Sequence, residues 1–257
     1  MKYFKFAICL FFAISVYGNI GYEDLVLPSP APNSNLPKGY QILHRKTRNK
    51  PYWENEQAKK FVELYLQDAV KLESDADAMR FASDSVTLKG AYIELGVCLG
   101  RTINFLAALN PKEPIYGFDS FEGLPEDWVR EDYILPKGTF ALKNPEKRPF
   151  VLGNVELVSG WFKDTLPIFA KEKLEDQPVA FIHVDCDVYT STAEALHILG
   201  PYIQEGTIVL LDELYNYPGY EKHEWKAMTE FLDAGGWKAE YLAYNIYHEQ
   251  VVLRIKK

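Results

Sequence analysis

Short apolar runs alternate with amphipathic segments from Gly90 onward, and the alternation defines most of the chain. Five such runs occupy residues 91–96, 114–119, 155–160, 179–185 and 207–213. Most are followed by a stretch whose apolar residues recur at helical spacing. Two last runs, 237–244 and 248–257, are separated by only a few residues. The pattern predicts strands joined by helices, hence a mostly parallel sheet, with an antiparallel hairpin formed at one edge by the two closing runs.

The predicted fold class is therefore α/β: a Rossmann-like sheet of seven strands with an antiparallel last strand and helices on both faces. A helix is predicted over residues 53–72, where helical periodicity begins. Residues 52–257 are predicted to form one domain.

The chain before Tyr52 has a different composition. Residues 1–18 carry Lys2 and Lys5, then an apolar run, then Gly18, an order typical of a secretory signal peptide. A permanent membrane anchor is disfavoured because the apolar run is too short to span a bilayer. Residues 19–51 contain the stretch LPSPAPNSNLPKGY, which is rich in Pro, Asn and Ser. They are predicted to be a linker or an amino-terminal arm. We expect an exported protein, or a cytoplasmic one if the signal interpretation is wrong.

Composition excludes several classes of protein. The 257 residues suffice for one large domain with a substantial core. The 28 Lys and Arg against 36 Asp and Glu give a net charge of −8, with no basic stripe, so nucleic acid is not an expected partner. Cys9 lies in the predicted signal peptide, and Cys98 and Cys186 alone make no disulfide framework.

Acidic residues mark the ends of four predicted strands. They are Glu94, Asp119, the pair Asp185 and Asp187, and the pair Asp212 and Glu213. In an open parallel sheet, ligands bind outside the carboxyl ends of the strands. Each acid taken alone is more simply a helix cap or a turn former. Four acidic ends in one sheet favour a binding site.

The turn after the first strand, ELGVCLGRT, allows close approach of a ligand to the backbone at Gly96 and Gly100. It is not the dinucleotide motif G-x-G-x-x-G, and no phosphate-binding loop of nucleotide triphosphatases is present. Asp119 follows at the distance where a carboxylate binds ribose hydroxyls. Together these features indicate a cofactor that contains adenosine.

Five segments resemble motifs of the macrocin O-methyltransferase family: YIELGVCLGRT, YGFDSFEGLPEDW, GWFKDTLP, IHVDCDVYTST and LLDELYNYPGYEKHEWKA. The resemblance covers residues 91–232 in order and spacing. It implies a class I, S-adenosylmethionine-dependent methyltransferase that acts on a sugar hydroxyl, as in the biosynthesis of tylosin and novobiocin.

The resemblance also implies a role for each matching position. Residues implied to contact S-adenosylmethionine are Glu94, Gly96, Gly100, Thr102, Asp119, Ser120, Gly160, Trp161 and Asp185. A divalent cation, Mg²⁺, would be held by Asp185, Asp212 and Glu213, with Asp187 as the general base. For Trp161, a position beside the adenine and ordinary packing in the core are equally favoured.

The chemistry of a sugar hydroxyl is consistent with such a set. An aliphatic hydroxyl is a poor nucleophile, and Mg²⁺ held by oxygen ligands can bind a vicinal diol and lower the pKa of one hydroxyl. Three carboxylates suit a hard cation. Asp187 lies beyond a ligand and within reach of the acidified proton.

Some residues and segments leave alternatives open. His223 and Glu224 could contact substrate, although a polar helix start is favoured, and Cys186 is expected to be a buried thiol rather than a catalytic one. Residues 134–154, where the family has a helix over the substrate, are interrupted by prolines, so the acceptor sugar cannot be carried over.

The expected partner is a small-molecule or glycan hydroxyl acceptor, with no stable membrane span and with a homo-oligomer left open. The rival hypothesis is an exported carbohydrate-binding or interaction module that keeps the fold without turnover.

Overall fold

A computed structural model describes residues 51–144 and 148–257, together with the backbone of two short strands, β1 (Leu25–Val26) and β2 (His44–Arg45). These two strands pair antiparallel. The signal peptide predicted for residues 1–18, and the rest of the arm before Pro51, lie outside the described residues. Within the described part, every helix is too short or too polar to cross a bilayer.

A mixed sheet forms the centre of the domain. The remaining strands are β3 (Val70–Leu72), β4 (Ala91–Leu95), β5 (Ile115–Asp119), β6 (Trp128–Val129), β7 (Ile134–Leu135), β8 (Val155–Ser159), β9 (Val179–Val184), β10 (Ile208–Leu211), β11 (Lys238–Asn245) and β12 (Val251–Lys256). Eight of them pair in the order β3-β11-β12-β10-β9-β4-β5-β8. β12 is antiparallel to both neighbours, and the other described pairings in this sheet are parallel. The predicted fold class is confirmed.

Helices cover both faces of the sheet. They are α1 (Glu56–Tyr65), α2 (Asp75–Asp84), α3 (Arg101–Leu109), α4 (Phe162–Phe169), α5 (Tyr189–Leu199) and α6 (Glu224–Gly235). One hydrophobic cluster joins the sheet to α1, α4, α5 and α6, and a second joins it to α2 and α3. The chain runs outward from β4 to β8, then returns to β9 beside β4. The carboxyl ends of β4 and β9 are thus the point where strand order reverses and where ligands bind in such sheets.

Two predicted boundaries are wrong. The helix predicted over 53–72 begins at Glu56, capped by the Asn55 side chain, and ends at Tyr65. Val70–Leu72 is instead a strand, because the outer edge of β11 offers unpaired backbone groups and β3 pairs there. The closing hairpin is consequently not at the edge of the sheet, which has eight strands rather than seven.

The segment between β5 and β8 contains a small hairpin, β6–β7, in place of the family helix. Its Arg130 forms two hydrogen bonds to Glu249, at 3.0 and 2.9 Å. The side chains of this ion pair are only 5% and 3% exposed. The Arg130 guanidinium also lies 3.8 Å from the ring centroid of Tyr217. Since Glu249 lies between β11 and β12 and Tyr217 follows β10, the hairpin is fixed over the carboxyl ends of the central strands.

We expect Arg130→Met to lower the free energy of unfolding by about 3 kcal/mol, because the substitution leaves the buried Glu249 carboxylate without its guanidinium partner. Urea denaturation measures the loss. Lys222→Met is the control: it breaks the exposed pair of Lys222 with Glu131 and is expected to cost less than about 1 kcal/mol. Equal losses in the two variants would contradict the fixed position of the hairpin.

Candidate active site

Strand register brings a row of buried polar side chains together. Glu94 on β4 is paired with His183 on β9, and His183 with Leu210 on β10, two residues before Asp212. His183 Nδ1 lies 2.9 Å from Glu94 Oε2, and its Nε2 lies 3.6 Å from Asp212 Oδ1, beyond a direct hydrogen bond. Burial acts to lower the pKa of His183, but its interactions with Asp212 and Glu94 outweigh burial and raise it.

The predicted cation ligands lie together at the carboxyl ends of β9 and β10. Carboxylate oxygens of Asp185, Asp212 and Glu213 all lie within 4.8 Å of one another. Burial and the charge of Asp212 raise the pKa of both Asp185 and Glu213 well above the usual range. Carboxylates this close require a proton or a cation to offset their repulsion.

The donor set fits a hard divalent cation. It consists of carboxylate oxygens without His or Cys, as Mg²⁺ prefers. Glu213 Oε2 is a buried oxygen with no hydrogen-bond partner among the described residues. Such an atom is costly unless something binds it.

Asp212 is held in place by the β11–β12 connection. Leu211 pairs with Val251 in the antiparallel register, which puts Gln250 across from Asp212. Gln250 Nε2 donates to Asp212 Oδ1 at 3.0 Å, and Asn245 Nδ2 donates to Gln250 Oε1 at 2.8 Å. Sequence analysis missed Gln250, because its contact depends on which strand pairs with β10.

A small polar cleft borders Asp212 on the side of this connection. Its lining includes Ser74, Asp75, Arg101 and His248. Arg101 forms an ion pair with Asp75 across the cleft. The charge of this guanidinium is thus already matched by a carboxylate.

Asp187 lies on a tight turn between β9 and α5. The Val188 N–H donates to the Cys186 carbonyl at 2.7 Å, and Asp187 between them has φ +64°, a left-handed conformation that is uncommon outside glycine. Val188 is the N-cap residue of α5, and Asp187 precedes it in the turn, so the alternative of Asp187 as a turn former stays open beside the predicted role of general base. Backbone strain of this kind clusters at functional sites.

Asp119 organises the turn between β4 and α3. Its Oδ2 accepts hydrogen bonds from the N–H groups of Val97 and Cys98 at 2.8 and 2.7 Å, and Oδ1 accepts from Phe121 at 2.6 Å. A carboxylate has about four lone-pair sites, so capacity for a ribose hydroxyl remains. The sequence alone did not predict that Asp119 also shapes the turn.

Gly96 permits a close contact between this turn and the segment after β9. Its φ is +93°, and a Cβ atom there would lie 1.7 Å from the Asp185 carbonyl oxygen. The Asp185 N–H donates to Leu95 O at 2.9 Å across the same junction. Gly96 therefore joins the predicted cofactor turn to the predicted cation site.

Glu94 and Thr102 support the turn from inside the protein. Thr102 Oγ1 donates to Glu94 Oε1 at 2.9 Å, while the other Glu94 oxygen is next to His183. Glu94 is fully buried. The cofactor contacts implied for this pair, and for Gly100 at the start of α3, stay predictions.

The other predicted cofactor residues meet at the ends of β5 and β8. The Gly160 N–H donates to the Asp119 carbonyl at 3.0 Å, which brings Trp161 and Ser120 to the same edge of the sheet. Trp161 is partly exposed and lies outside the hydrophobic clusters formed by the described residues, and its place beside the adenine stays a prediction.

His223 and Glu224 lie at the start of α6, as the favoured interpretation held, but both are buried. His223 Nε2 lies 3.0 Å from the Val129 carbonyl oxygen, and Glu224 Oε2 accepts from the Glu213 N–H at 3.1 Å. Cys186 is a buried free thiol, as expected. Burial and the charges of Asp119 and Asp185 raise the pKa of Cys98 to about 12, so it is a thiol at neutral pH.

Part of the chain is similar to known methyltransferases. Residues 93–214 match the family model described as a methyltransferase domain. A curated relative from Streptomyces olivaceus, 8-demethyl-8-(2,3-dimethoxy-alpha-L-rhamnosyl)-tetracenomycin-C 4'-O-methyltransferase, is 28% identical over 158 residues. That alignment covers 53% of this chain and 59% of the relative, so the chain spans little more than half of the relative's length.

Solved structures agree with this class. The calicheamicin methyltransferase CalS11 is 28% identical with a TM-score of 0.56, over 70% of this chain and 78% of that one. The O-methyltransferase NovP, 22% identical with a TM-score of 0.51 over the same shares, has the same fold. Residues 93–214 thus match a methyltransferase domain, and the likeness to CalS11 is consistent with the resemblance of the sequence to macrocin O-methyltransferases.

We expect Gly96→Ala to be more destabilising than Gly206→Ala, since overpacking typically costs about 1–3 kcal/mol. Gly206 is a matched control: its φ of +99° is similar, but no atom lies within 4 Å of an added Cβ. The cost of placing alanine at a positive φ is therefore similar at both positions. The difference between the two losses in free energy of unfolding then reports the contact with Asp185. Equal free energies of unfolding in urea would exclude that contact.

Proposed function

We propose that this protein transfers a methyl group from S-adenosylmethionine to a hydroxyl of a sugar or a glycosylated small molecule, with a divalent cation, Mg²⁺, assisting. One observation carries the proposal: the oxygens of Asp185, Asp212 and Glu213 lie within 4.8 Å of one another, two residues from the turn at Asp187. This arrangement lies at the carboxyl ends of parallel strands, in a methyltransferase domain.

Two relatives support a sugar as the acceptor. The tetracenomycin relative is named for methylation at a 4' position of a rhamnosyl compound. CalS11 is described in a second structure, 27% identical with a TM-score of 0.50, as a TDP-rhamnose 3'-O-methyltransferase. We therefore favour a hydroxyl of a deoxyhexose, free, nucleotide-linked or attached to a larger molecule.

The cofactor would bind where the turn between β4 and α3 meets the ends of β5 and β8. Asp119 would accept hydrogen bonds from the ribose while holding the turn through Val97 and Cys98. Gly160 and Trp161, next to Asp119, would border the adenine. The methionine part would then extend along Gly96 and Gly100 toward Asp185, which Gly96 already contacts.

Asp185, Asp212 and Glu213 would hold the cation. When bound, a hard cation supplies a site for the acceptor diol and lowers the pKa of one hydroxyl. Gln250 keeps the Asp212 carboxylate in position. Asp187 accepts the hydroxyl proton on its carboxylate.

The transfer is a single displacement. The acceptor oxygen forms a bond to the methyl carbon, the bond from that carbon to the sulfonium sulfur breaks, and its electron pair stays on sulfur. The proton of the hydroxyl passes to Asp187. The protein's contribution is alignment of the three reacting atoms, together with removal of the proton.

The alternative, a non-catalytic carbohydrate-binding or interaction module, would have no need for the buried acidic cluster. Calorimetric titration of the purified chain with S-adenosylmethionine separates the two hypotheses. Binding in the micromolar range supports the enzyme, and the absence of binding supports the module.

We further propose export, supported only by Lys2, Lys5 and the apolar run that follows them.

We expect Asp119→Ala to weaken S-adenosylmethionine binding by roughly ten- to a hundredfold, because charge-assisted hydrogen bonds worth about 1.5–3 kcal/mol are lost. Isothermal titration calorimetry gives the affinity, and thermal melts without cofactor separate turn damage from ribose contact. Asp68→Ala, on an exposed loop, is the control. An Asp119→Ala variant with wild-type affinity would exclude the ribose role.

We expect removal of a cation ligand and removal of the base to affect cation binding and turnover differently. Asp212→Ala should weaken Mg²⁺ binding and turnover together, with partial rescue by excess Mg²⁺. Asp187→Asn should leave both binding affinities nearly intact and lower turnover about a hundredfold or more. Transfer of labelled methyl to TDP-rhamnose or a methyl rhamnoside is the assay, with exposed Asp233→Asn as control. Full activity of chelator-treated enzyme, or of Asp187→Asn, would disprove the mechanism.

A further inference from the structure

Glu224 is the first residue of α6 and is fully buried. A glutamate at a helix start usually remains in solvent, where it interacts with the helix dipole at little cost. Here one oxygen, Oε2, accepts from the Glu213 N–H at 3.1 Å. The other, Oε1, has no hydrogen-bond partner among the described residues. Burial of such a group is unfavourable unless something compensates it.

The surroundings of Glu224 increase this cost. The carboxylates of Asp212, Asp185 and Asp187 are close enough to repel it electrostatically. Glu213, whose N–H it binds, adds another acidic side chain and has an unpartnered oxygen of its own, Oε2. Two buried oxygens without partners therefore belong to adjacent carboxylates in one acidic cluster.

The two neighbouring predicted ligands are held by different elements. Gln250, before β12, fixes Asp212 through its side chain. Glu224, on α6, fixes Glu213 because its side chain accepts a hydrogen bond from the backbone N–H of Glu213. A glutamine at 224 would satisfy that N–H equally well and would carry no charge. Glutamate and glutamine have nearly the same shape, so replacing Glu224 with glutamine would test the charge separately from the hydrogen bond to Glu213.

We propose that Glu224 is a positioning residue of the cation site, which fixes Glu213 and adds negative charge and an acceptor oxygen for water bound to the cation. This inference rests on the proposed function, because it requires a cation at Asp185, Asp212 and Glu213. Glu224 does not take part in the transfer itself. Groups that orient metal ligands in this way typically change metal affinity by about 10–100-fold when altered.

Binding of Mn²⁺ to the full chain, followed by electron paramagnetic resonance without S-adenosylmethionine, tests the role. We expect Glu224→Gln to weaken Mn²⁺ binding about tenfold or more, with the melting temperature of the cation-free protein unchanged or raised, because the substitution relieves repulsion among the acids. Glu230→Gln is the matched control, since Glu230 lies exposed on the same helix. It should bind Mn²⁺ like the wild type.

The outcomes separate this role from the proposed function. Wild-type affinity in Glu224→Gln, with binding lost in Asp212→Ala, overturns only the role of Glu224. No binding to the wild type, or equal binding to Asp212→Ala, overturns the cation site and this role with it.

If Glu224→Gln fails to fold, Glu224→Asp keeps the charge but shortens the reach to Glu213. Weaker Mn²⁺ binding at an unchanged melting temperature then supports the role, and wild-type affinity overturns it.

Discussion

Repulsion between buried carboxylates is the constraint on which the site depends. Asp185, Asp212 and Glu213 have oxygens within 4.8 Å of one another, at strand ends where little water reaches Asp212 and Glu213. Burial and mutual charge both disfavour three ionised groups in this space. The polypeptide offsets part of the cost through His183 and Gln250 beside Asp212. The remainder requires a bound cation or protons.

The fold supplies these contacts from elements far apart in the chain. Gln250 comes from the closing hairpin, Glu224 from α6, and His183 from the middle of the sheet. Gly96 brings the cofactor turn against Asp185. Methyl transfer to a hydroxyl needs donor and acceptor to be aligned closely, and this single junction between the two predicted sites would provide that alignment in the proposed reaction.

Alternating apolar runs were enough to predict the sheet class and the antiparallel last strand, because period and length distinguish strands from helices. They also predicted which acids lie at strand ends. The contact of Gln250 with Asp212 was not predictable, since it depends on β12 lying between β10 and β11. β3 was taken for helix because three residues give no readable period. The burial of His183 and Glu224 was not predictable either, because polar residues are usually exposed and only the packed structure shows what covers these two.

The most direct test of the central claim is anomalous diffraction from crystals grown with Mn²⁺ and S-adenosylhomocysteine. The account predicts one anomalous peak about 2.0–2.4 Å from oxygens of Asp185, Asp212 and Glu213, a distance range typical of oxygen ligands of divalent cations. The sulfur of the cofactor product should lie on the Gly96 side of that peak. Carboxylates without a peak between them, in crystals of protein that methylates its acceptor at full rate, would contradict it.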